Sequence, residues 1–252
     1  RMKELVKKLN EAAKAYYQED REIMSDLEYD KLSDELQKLE ETTGMMLAGS
    51  PTTKVGYEAV DRLPKEVHES PMLSLNKTKN IEELRNFIGI QKTLLSWKMD
   101  GLTIVLTYQN GELQKAVTRG NGIEGEIVTN NAKVFENIPL KIPYNGELIL
   151  RGEAIISYSD FNRINEEMED VDAEYKNPRN LCSGAVRQLN NEITAKRHVK
   201  FMAFALISAK DQDFNNSRIC QMEWLKQQGF EVVEYRVVTK DTLDEAMEYF
   251  SK

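Results

Sequence analysis

The chain has 252 residues, 40 % hydrophobic and 30 % charged, enough for one large domain or a large and a small one. Its 34 basic and 42 acidic residues leave a net charge of −8, which argues against a strong stand-alone nucleic-acid binder. No apolar run approaches the ~18 residues of a membrane span and no secretory or lipidation signal is present, so no membrane partner is expected and a cytoplasmic location is the simplest. With Cys182, Cys220, His68 and His198 as the only soft ligands and no C-x-x-C pair, a structural zinc site is not expected. The acidic charge is uneven: residues 1–50 hold 8 Lys/Arg against 12 Asp/Glu, half of the net excess.

Residues 2–17 read as a helix, with Leu5, Leu9 and Ala12/Ala13 at helical spacing. Ser25 and Glu28 form a capping-box pattern ahead of Leu27, Leu32, Leu36 and Leu39, so residues 1–43 are predicted to be a helical hairpin. Thr42 to Gly56, punctuated by Gly44, Gly49, Ser50-Pro51 and Gly56, reads as a linker. A short helix over 81–89 follows the cap signal of Asn80 and Glu83. From Leu94 the pattern turns to strands. Thr103 to Tyr108 and Leu113 to Thr118 flank Asn110-Gly111, the strongest short hairpin signal. Further strands are predicted at 147–156, 199–207 and 230–238, with helices at about 159–169, 216–228 and 241–250. Hairpin-joined strands with helices grouped outside imply an α+β fold built on antiparallel sheet.

Chemistry concentrates in a few short runs. In Lys98-Met99-Asp100-Gly101, a lysine stands two residues before Asp-Gly and a strand-like run follows. This is the pattern of a covalent nucleotidyl-transfer site, where the amine attacks the α-phosphorus of a nucleotide and carries the monophosphate as a phosphoramidate. Alone, a lysine is a solvated surface residue far more often than a nucleophile, and Asp-Gly is a turn. Arg119-Gly120-Asn121-Gly122 reads as a glycine-rich turn closing a strand. The Asn110-Gly111 hairpin folds that strand back beside the one following Lys98, which makes Arg119 a neighbouring cation. Glu153, in Arg151-Gly152-Glu153, is either half of a structural ion pair or a contact to a divalent metal or a ribose. Asn177-Pro178-Arg179-Asn180 leads on to Ser183-Gly184 and Arg187-Gln188-Leu189. A loop followed by a helix would aim Arg179 and Arg187 at one phosphate, work for which the guanidinium fork is suited. Tyr16, Tyr17, Asp26, Tyr29 and Asp30 precede these runs, and on physics alone the paired tyrosines are one buried and one exposed ring. His68 and His198 read as structural or surface residues, and Lys196-Arg197-His198 as a solvated strand entry.

Together these runs resemble the adenylation region of a bacterial NAD-dependent DNA ligase, from about residue 2 to about residue 245. The resemblance implies a helical NMN-binding subdomain over 1–43, a linker over 44–56, and an ATP-grasp-like ligase nucleotidyltransferase domain over 57–252, incomplete at its carboxy end. It implies that Lys98 is the nucleophile, that Asp100 contacts the ribose or supports the lysine, and that Arg119 lies near ribose and phosphate. Glu153 then takes the metal or ribose role, and Arg179 and Arg187 serve the NMN phosphate, the DNA 5′-phosphate or the nick backbone. Tyr16, Tyr17, Asp26, Tyr29 and Asp30 hold the NMN half of NAD, the feature that separates this family from ATP-dependent ligases and capping enzymes. Ser74 and Leu75, in Pro71-Met72-Leu73-Ser74-Leu75, line the adenine pocket together with Ser96. NAD and Mg²⁺ are the implied cofactors, and nicked double-stranded DNA the partner of the full-length enzyme.

The sequence departs from the family pattern at several points. Ser96 stands where the family usually places a glutamate that accepts from the adenine amine, exchanging a charge-assisted bond for a neutral one at a cost of roughly 1–2 kcal/mol. Asn76 replaces a common acidic residue, and Asn121 an aspartate. A second D-G-x-V-x-K strand and a K-F-P segment that follow in the family are absent from the chain, and Arg1 ahead of Met2 reads as the edge of a fragment. The expected activity is therefore adenylation of Lys98 by NAD with release of NMN. The alternatives are a non-catalytic NAD- or AMP-binding relative and an ATP- or GTP-using nucleotidyltransferase.

Overall fold

The structure is a computed structural model that describes residues 1–19, 23–47, 50–52, 62–69, 71–72, 75–168 and 175–251. Helices α1 (Met2–Glu19) and α2 (Asp26–Thr43) pack on each other through Leu5, Val6, Leu9 and Leu36, all buried. At ~25 cal/mol per Å² of apolar surface, each such side chain contributes about 2 kcal/mol. Ser25 caps α2 as its spacing predicts, its hydroxyl accepting from the Glu28 amide at 3.3 Å. Gly44 ends α2 in the left-handed conformation at φ 65°, its amide bonded to Glu40 O.

The linker is more structured than its punctuation suggests. Met46–Leu47 forms a two-residue strand, β1, on the edge of the main sheet, beside β7 (Pro139–Lys141). Such a strand is too short to leave a periodic signal. Glu40 is buried and accepts from the Ser50 hydroxyl at 2.6 Å and the Thr52 hydroxyl at 2.5 Å, which ties the chain after β1 back onto α2.

The main sheet has six strands in the order β1-β7-β5-β4-β8-β9, every adjacent pair antiparallel. Strands β4 (Leu102–Gln109) and β5 (Glu112–Thr118) form the predicted hairpin; Asn110 at φ 52° and Gly111 at φ 76° make the turn. Strands β8 (Leu148–Ile155) and β9 (Lys200–Ala209) complete it. One face carries Ile104, Leu106, Tyr108, Leu148, Leu150 and Phe201 into the core. Against it pack α4 (Thr129–Ala132), α6 (Pro178–Val186) and α8 (Arg218–Gln227). Helices α5 (Tyr158–Glu166) and α7 (Asn191–Lys196) flank this layer. The opposite face carries the half-buried Thr103, Val105, Arg151 and Glu153.

Two small sheets complete the fold. Strand β2 (Lys65–Val67) pairs with β6 (Glu124–Glu126), and β3 (Thr93–Ser96) with β10 (Tyr235–Val238). Helices α3 (Ile81–Ile88) and α9 (Leu243–Phe250) cover the β3–β10 pair through Ile88, Val238, Leu243, Ala246 and Leu95. The single strand predicted over 230–238 is divided. Residues 231–233 bond to Ala203 of β9, and the chain then crosses to β3. One segment thus fixes the small sheet, and the end of β3, against the large one. Among the described residues no helix is long and apolar enough to cross a membrane.

Candidate active site

Lys98 follows β3 directly and is exposed. The chain on both sides of it is pinned. Before it, the Trp97 amide donates to Glu234 O at 3.2 Å, and the Trp97 ring meets Phe250 edge-on with centroids 5.0 Å apart. After it, Gly101 lies so close to β8 that a Cβ there would fall 1.9 Å from Ala154 O. Only glycine allows this approach. The burial expected around a nucleophilic amine is not supplied by the described residues, because the Lys98 side chain lies at a surface.

Glu153 stands across from Thr103 in the β4–β8 register. Its Oε1 accepts from the Gly101 amide at 3.1 Å and its Oε2 from the Thr103 hydroxyl at 2.8 Å. Among the described residues it is not half of a structural ion pair. Burial raises its pKa above the usual carboxylate value; the bonds from Thr103 and Gly101, and the charges of Lys98 and Arg179, oppose that rise. Beneath it Cys182, fully buried on α6, has its thiol pushed up to about 12 by burial and by the Glu153 charge.

Arg119 ends β5. Its amide donates to Thr103 O at 2.9 Å and its Nε to Met72 O at 3.2 Å. His68 has the structural place expected of it, with Nε2 3.1 Å from Arg119 O. Gly120 and Gly122 carry the turn at φ 55° and 92°. Asn121 closes the turn without a charge, Oδ1 accepting from the amides of Ile123 at 2.9 Å and Glu124 at 2.8 Å. Arg151 lies near enough to Arg119 that, after burial, this second cation helps hold its pKa below the usual guanidinium value.

The arrangement of Arg179 and Arg187 differs from the loop-then-helix reading. Asn177 caps α6, accepting from the Asn180 amide at 2.8 Å, and Pro178 occupies its first turn. Both arginines therefore belong to one helix, Arg179 in the first turn and Arg187 at the C-cap. Eight residues at 1.5 Å each separate them by about 12 Å along the axis, so they do not converge. Arg179 reaches Asp100 Oδ1 at 3.0 Å. Arg187 pairs with Glu126 at 2.6 Å and donates to the Ser183 hydroxyl at 3.1 Å.

The remaining positions are less gathered. Ser96 is half-buried at the end of β3, opposite Tyr235. Leu75 is 86 % exposed, whereas Met72 is buried. Ser74 lies outside the described residues, as do the side chains of Tyr16, Tyr17, Asp26 and Asp30. Tyr29 packs against the α1–α2 cluster. Two neighbours of Glu153, Thr103 and Cys182, carried no sequence signal of their own, nor did Phe204 on β9. Phe204 is the extra residue of a β-bulge, since Gly152 pairs with Ala203 and Arg151 with Ala205, and its side chain is exposed.

A family model described as the NAD-dependent DNA ligase adenylation domain matches residues 60–252, and one described as the DNA ligase-like N-terminal NAD⁺-binding domain matches residues 1–56. The chain belongs to the NAD-dependent DNA ligase family. It is 64 % identical over 250 residues to a DNA ligase of Lachnoclostridium phytofermentans, covering 99 % of this chain and 38 % of that protein. It is 59 % identical over 251 residues to a DNA ligase of Ruminiclostridium cellulolyticum, covering 100 % and 38 %. A DNA ligase of Clostridioides difficile is 37 % identical over 255 residues, covering 97 % and 38 %. The chain thus spans well under half the length of these curated relatives. It is the adenylation region of an NAD-dependent DNA ligase together with its N-terminal NAD⁺-binding domain. The Lys98 run and the glycine-rich turn of this ligase region both fall within the adenylation match.

Proposed function

We propose that Lys98 attacks the adenylyl phosphorus of NAD, displacing NMN and forming a lysyl-AMP intermediate. In the whole ligase the AMP passes to the 5′-phosphate at a nick in double-stranded DNA, and the 3′-hydroxyl then closes the nick. The observation that carries this reading is the setting of Lys98: an exposed amine between two pinned flanks, with Asp100, Arg179, Glu153 and Arg119 grouped on the strands and helix beside it. A nucleotide seated over Lys98 brings its α-phosphorus to the amine in place of water. Arg119, with Arg179 or Arg187, offsets charge developing on the phosphates. Phe204 offers an exposed aromatic face to a planar base.

The domains are read as a helical hairpin over 1–43 that holds NMN through Tyr16, Tyr17, Asp26, Tyr29 and Asp30, a linker over 44–56, and an ATP-grasp-like ligase domain over 57–252. Ser74, Leu75 and Ser96 line the adenine side. Mg²⁺ fits this donor set in one way. Among the described residues no group of three His, Cys, Asp or Glu is placed to cage a metal. Mg²⁺ is commonly held by one or two carboxylates plus substrate phosphates, and Glu153 or Asp100 can serve in that manner. When bound there it supplies neutralising charge to the phosphates. The two free cysteines suit the cytoplasm.

Intact mass after incubation with Mg²⁺ and NAD, in parallel with ATP and with Lys98→Ala, tests the reading. A gain of one AMP from NAD alone, absent in the variant, is the expected result. NAD binding with no covalent adduct in hours would replace it with a non-catalytic role.

A further inference from the structure

The chain between Trp97 and Gly101 is only three residues long, and both its ends are fixed. The Trp97 end is held by Glu234 O and Phe250. At the Gly101 end the Glu153 side chain spends one oxygen on the Gly101 amide and the other on the Thr103 hydroxyl. Three residues span at most about 10 Å, so a shift at Gly101 is passed to Lys98 almost undamped. The next turn of the motif is tied to the same place from another direction, since Arg179 on α6 holds Asp100.

We propose that Glu153 is a positioning residue for Lys98, its carboxylate clamping the turn that follows the nucleophile through the Gly101 amide and the Thr103 hydroxyl. The inference rests on Lys98 being the nucleophile and goes beyond a ribose or metal contact: both carboxylate oxygens are already engaged with the protein before any substrate arrives. A carboxylate is an acceptor with two oxygens, so one side chain can take both bonds at once.

The test compares the full chain with Glu153→Gln, Thr103→Val and Thr103→Ser at one pH by amide NMR, alongside single-turnover adenylation by intact mass and NAD affinity by calorimetry. The Gly101 amide resonance is expected to move upfield in Glu153→Gln, where a neutral acceptor replaces a charged one, and Thr103→Ser, which keeps the hydroxyl, is expected to react at nearly the rate of the unmodified chain. Thr103→Val is expected to slow adduct formation about 3- to 10-fold, the loss of one hydrogen bond to a charged group, with NAD affinity within about twofold. A Gly101 amide resonance unchanged in Glu153→Gln, or a Thr103→Ser chain as slow as Thr103→Val, overturns the clamp. So does a Thr103→Val chain that binds NAD more weakly but reacts at an unchanged rate once bound. If the unmodified chain forms no adduct while the Gly101 resonance moves in Glu153→Gln as described, the adenylation reading fails and the clamp stands as a structural device.

Discussion

Arg179 Nη1 lies 3.0 Å from Asp100 Oδ1 across 79 residues of sequence, joining the first turn of α6 to the lysine motif. Both side chains are well exposed, 61 % and 71 %, so the pair contributes little to stability, of order 0–1 kcal/mol. Its consequence is for placement. Arg179→Ala is expected to change Tm by no more than about 4 °C, the shift that ~1 kcal/mol gives a chain of this size. The rate of adduct formation from NAD should nonetheless fall about tenfold or more. Because a single nitrogen makes the contact, Arg179→Lys should retain more activity than Arg179→Ala. Equal rates for Arg179→Ala and the unmodified chain would make the pair a surface contact only.

Ser96 sits half-buried beside the site, where the resemblance places an acidic residue. Ser96→Glu is expected to tighten NAD binding about 5- to 10-fold, the gain of roughly 1 kcal/mol between a neutral and a charge-assisted hydrogen bond. Calorimetry with NAD, and with AMP as the fragment lacking NMN, reads this directly. Weaker binding of both ligands would show that β3 and β10 leave no room for a carboxylate there.

Gly101 has no freedom to become any other residue. A Cβ would stand 1.9 Å from Ala154 O and 3.0 Å from the Ile155 side chain, and the nearer atom is backbone that cannot rotate away. Gly101→Ala must push β4 off β8 at the point where Glu153 grips it. The expected cost is about 3 kcal/mol or more, the upper end for overpacking, with a Tm drop of roughly 6–12 °C and no detectable adduct. A thermal melt within about 2 °C of the unmodified chain would contradict the close approach.

Much of the fold was legible because its signals are local. Ser25, Asn80 and Asn110-Gly111 announce two helix starts and a hairpin by side-chain chemistry alone, and each does so in the structure. What escaped the sequence depends on distant chain. Whether residues 230–238 stay with one sheet is decided by Ala203, to which 231–233 bond before the strand departs for β3. Phe204 breaks the alternation of β9 through a bulge set by its partner β8. The start of α6 was written in Asn177-Pro178, an N-cap followed by a proline at the first turn, but the run reads equally as a loop. Lys98, Asp100, Arg119 and Glu153 were each legible as candidates. That Glu153 turns inward to Gly101 and Thr103 was not, because strand pairing alone places position 153 across from 103.

The two cysteines should differ sharply in reactivity. Cys182 is fully buried and its thiol is pushed up to about 12, whereas Cys220 is exposed on α8. The thiolate is the reactive form, so at about pH 8 iodoacetamide should add once to the native chain and twice in denaturant, with Cys220 the native site by peptide mass. Two rapid additions to the native chain would mean that α6 opens readily from the sheet, which would also undo the placement of Arg179.

Glu153 links function to stability with a definite sign. Its pKa is raised on folding, chiefly by burial, so the folded chain binds that proton more tightly than the unfolded chain does. The stability tied to the protonated carboxyl is fully present below the unfolded value, near 4.5, and is lost as the pH rises through the higher folded value. Glu153→Gln keeps the shape and removes the charge. It is expected to match the unmodified chain in Tm near pH 4 and to exceed it at pH 7, while adduct formation from NAD falls. A charge retained at a cost in stability is what a working site requires. The opposite ordering, a Glu153→Gln chain that melts lower at pH 7 than its parent while matching it near pH 4, would mean that the bonds from Gly101 and Thr103 and the charges of Lys98 and Arg179 outweigh burial, and that Glu153 is held ionised by the fold.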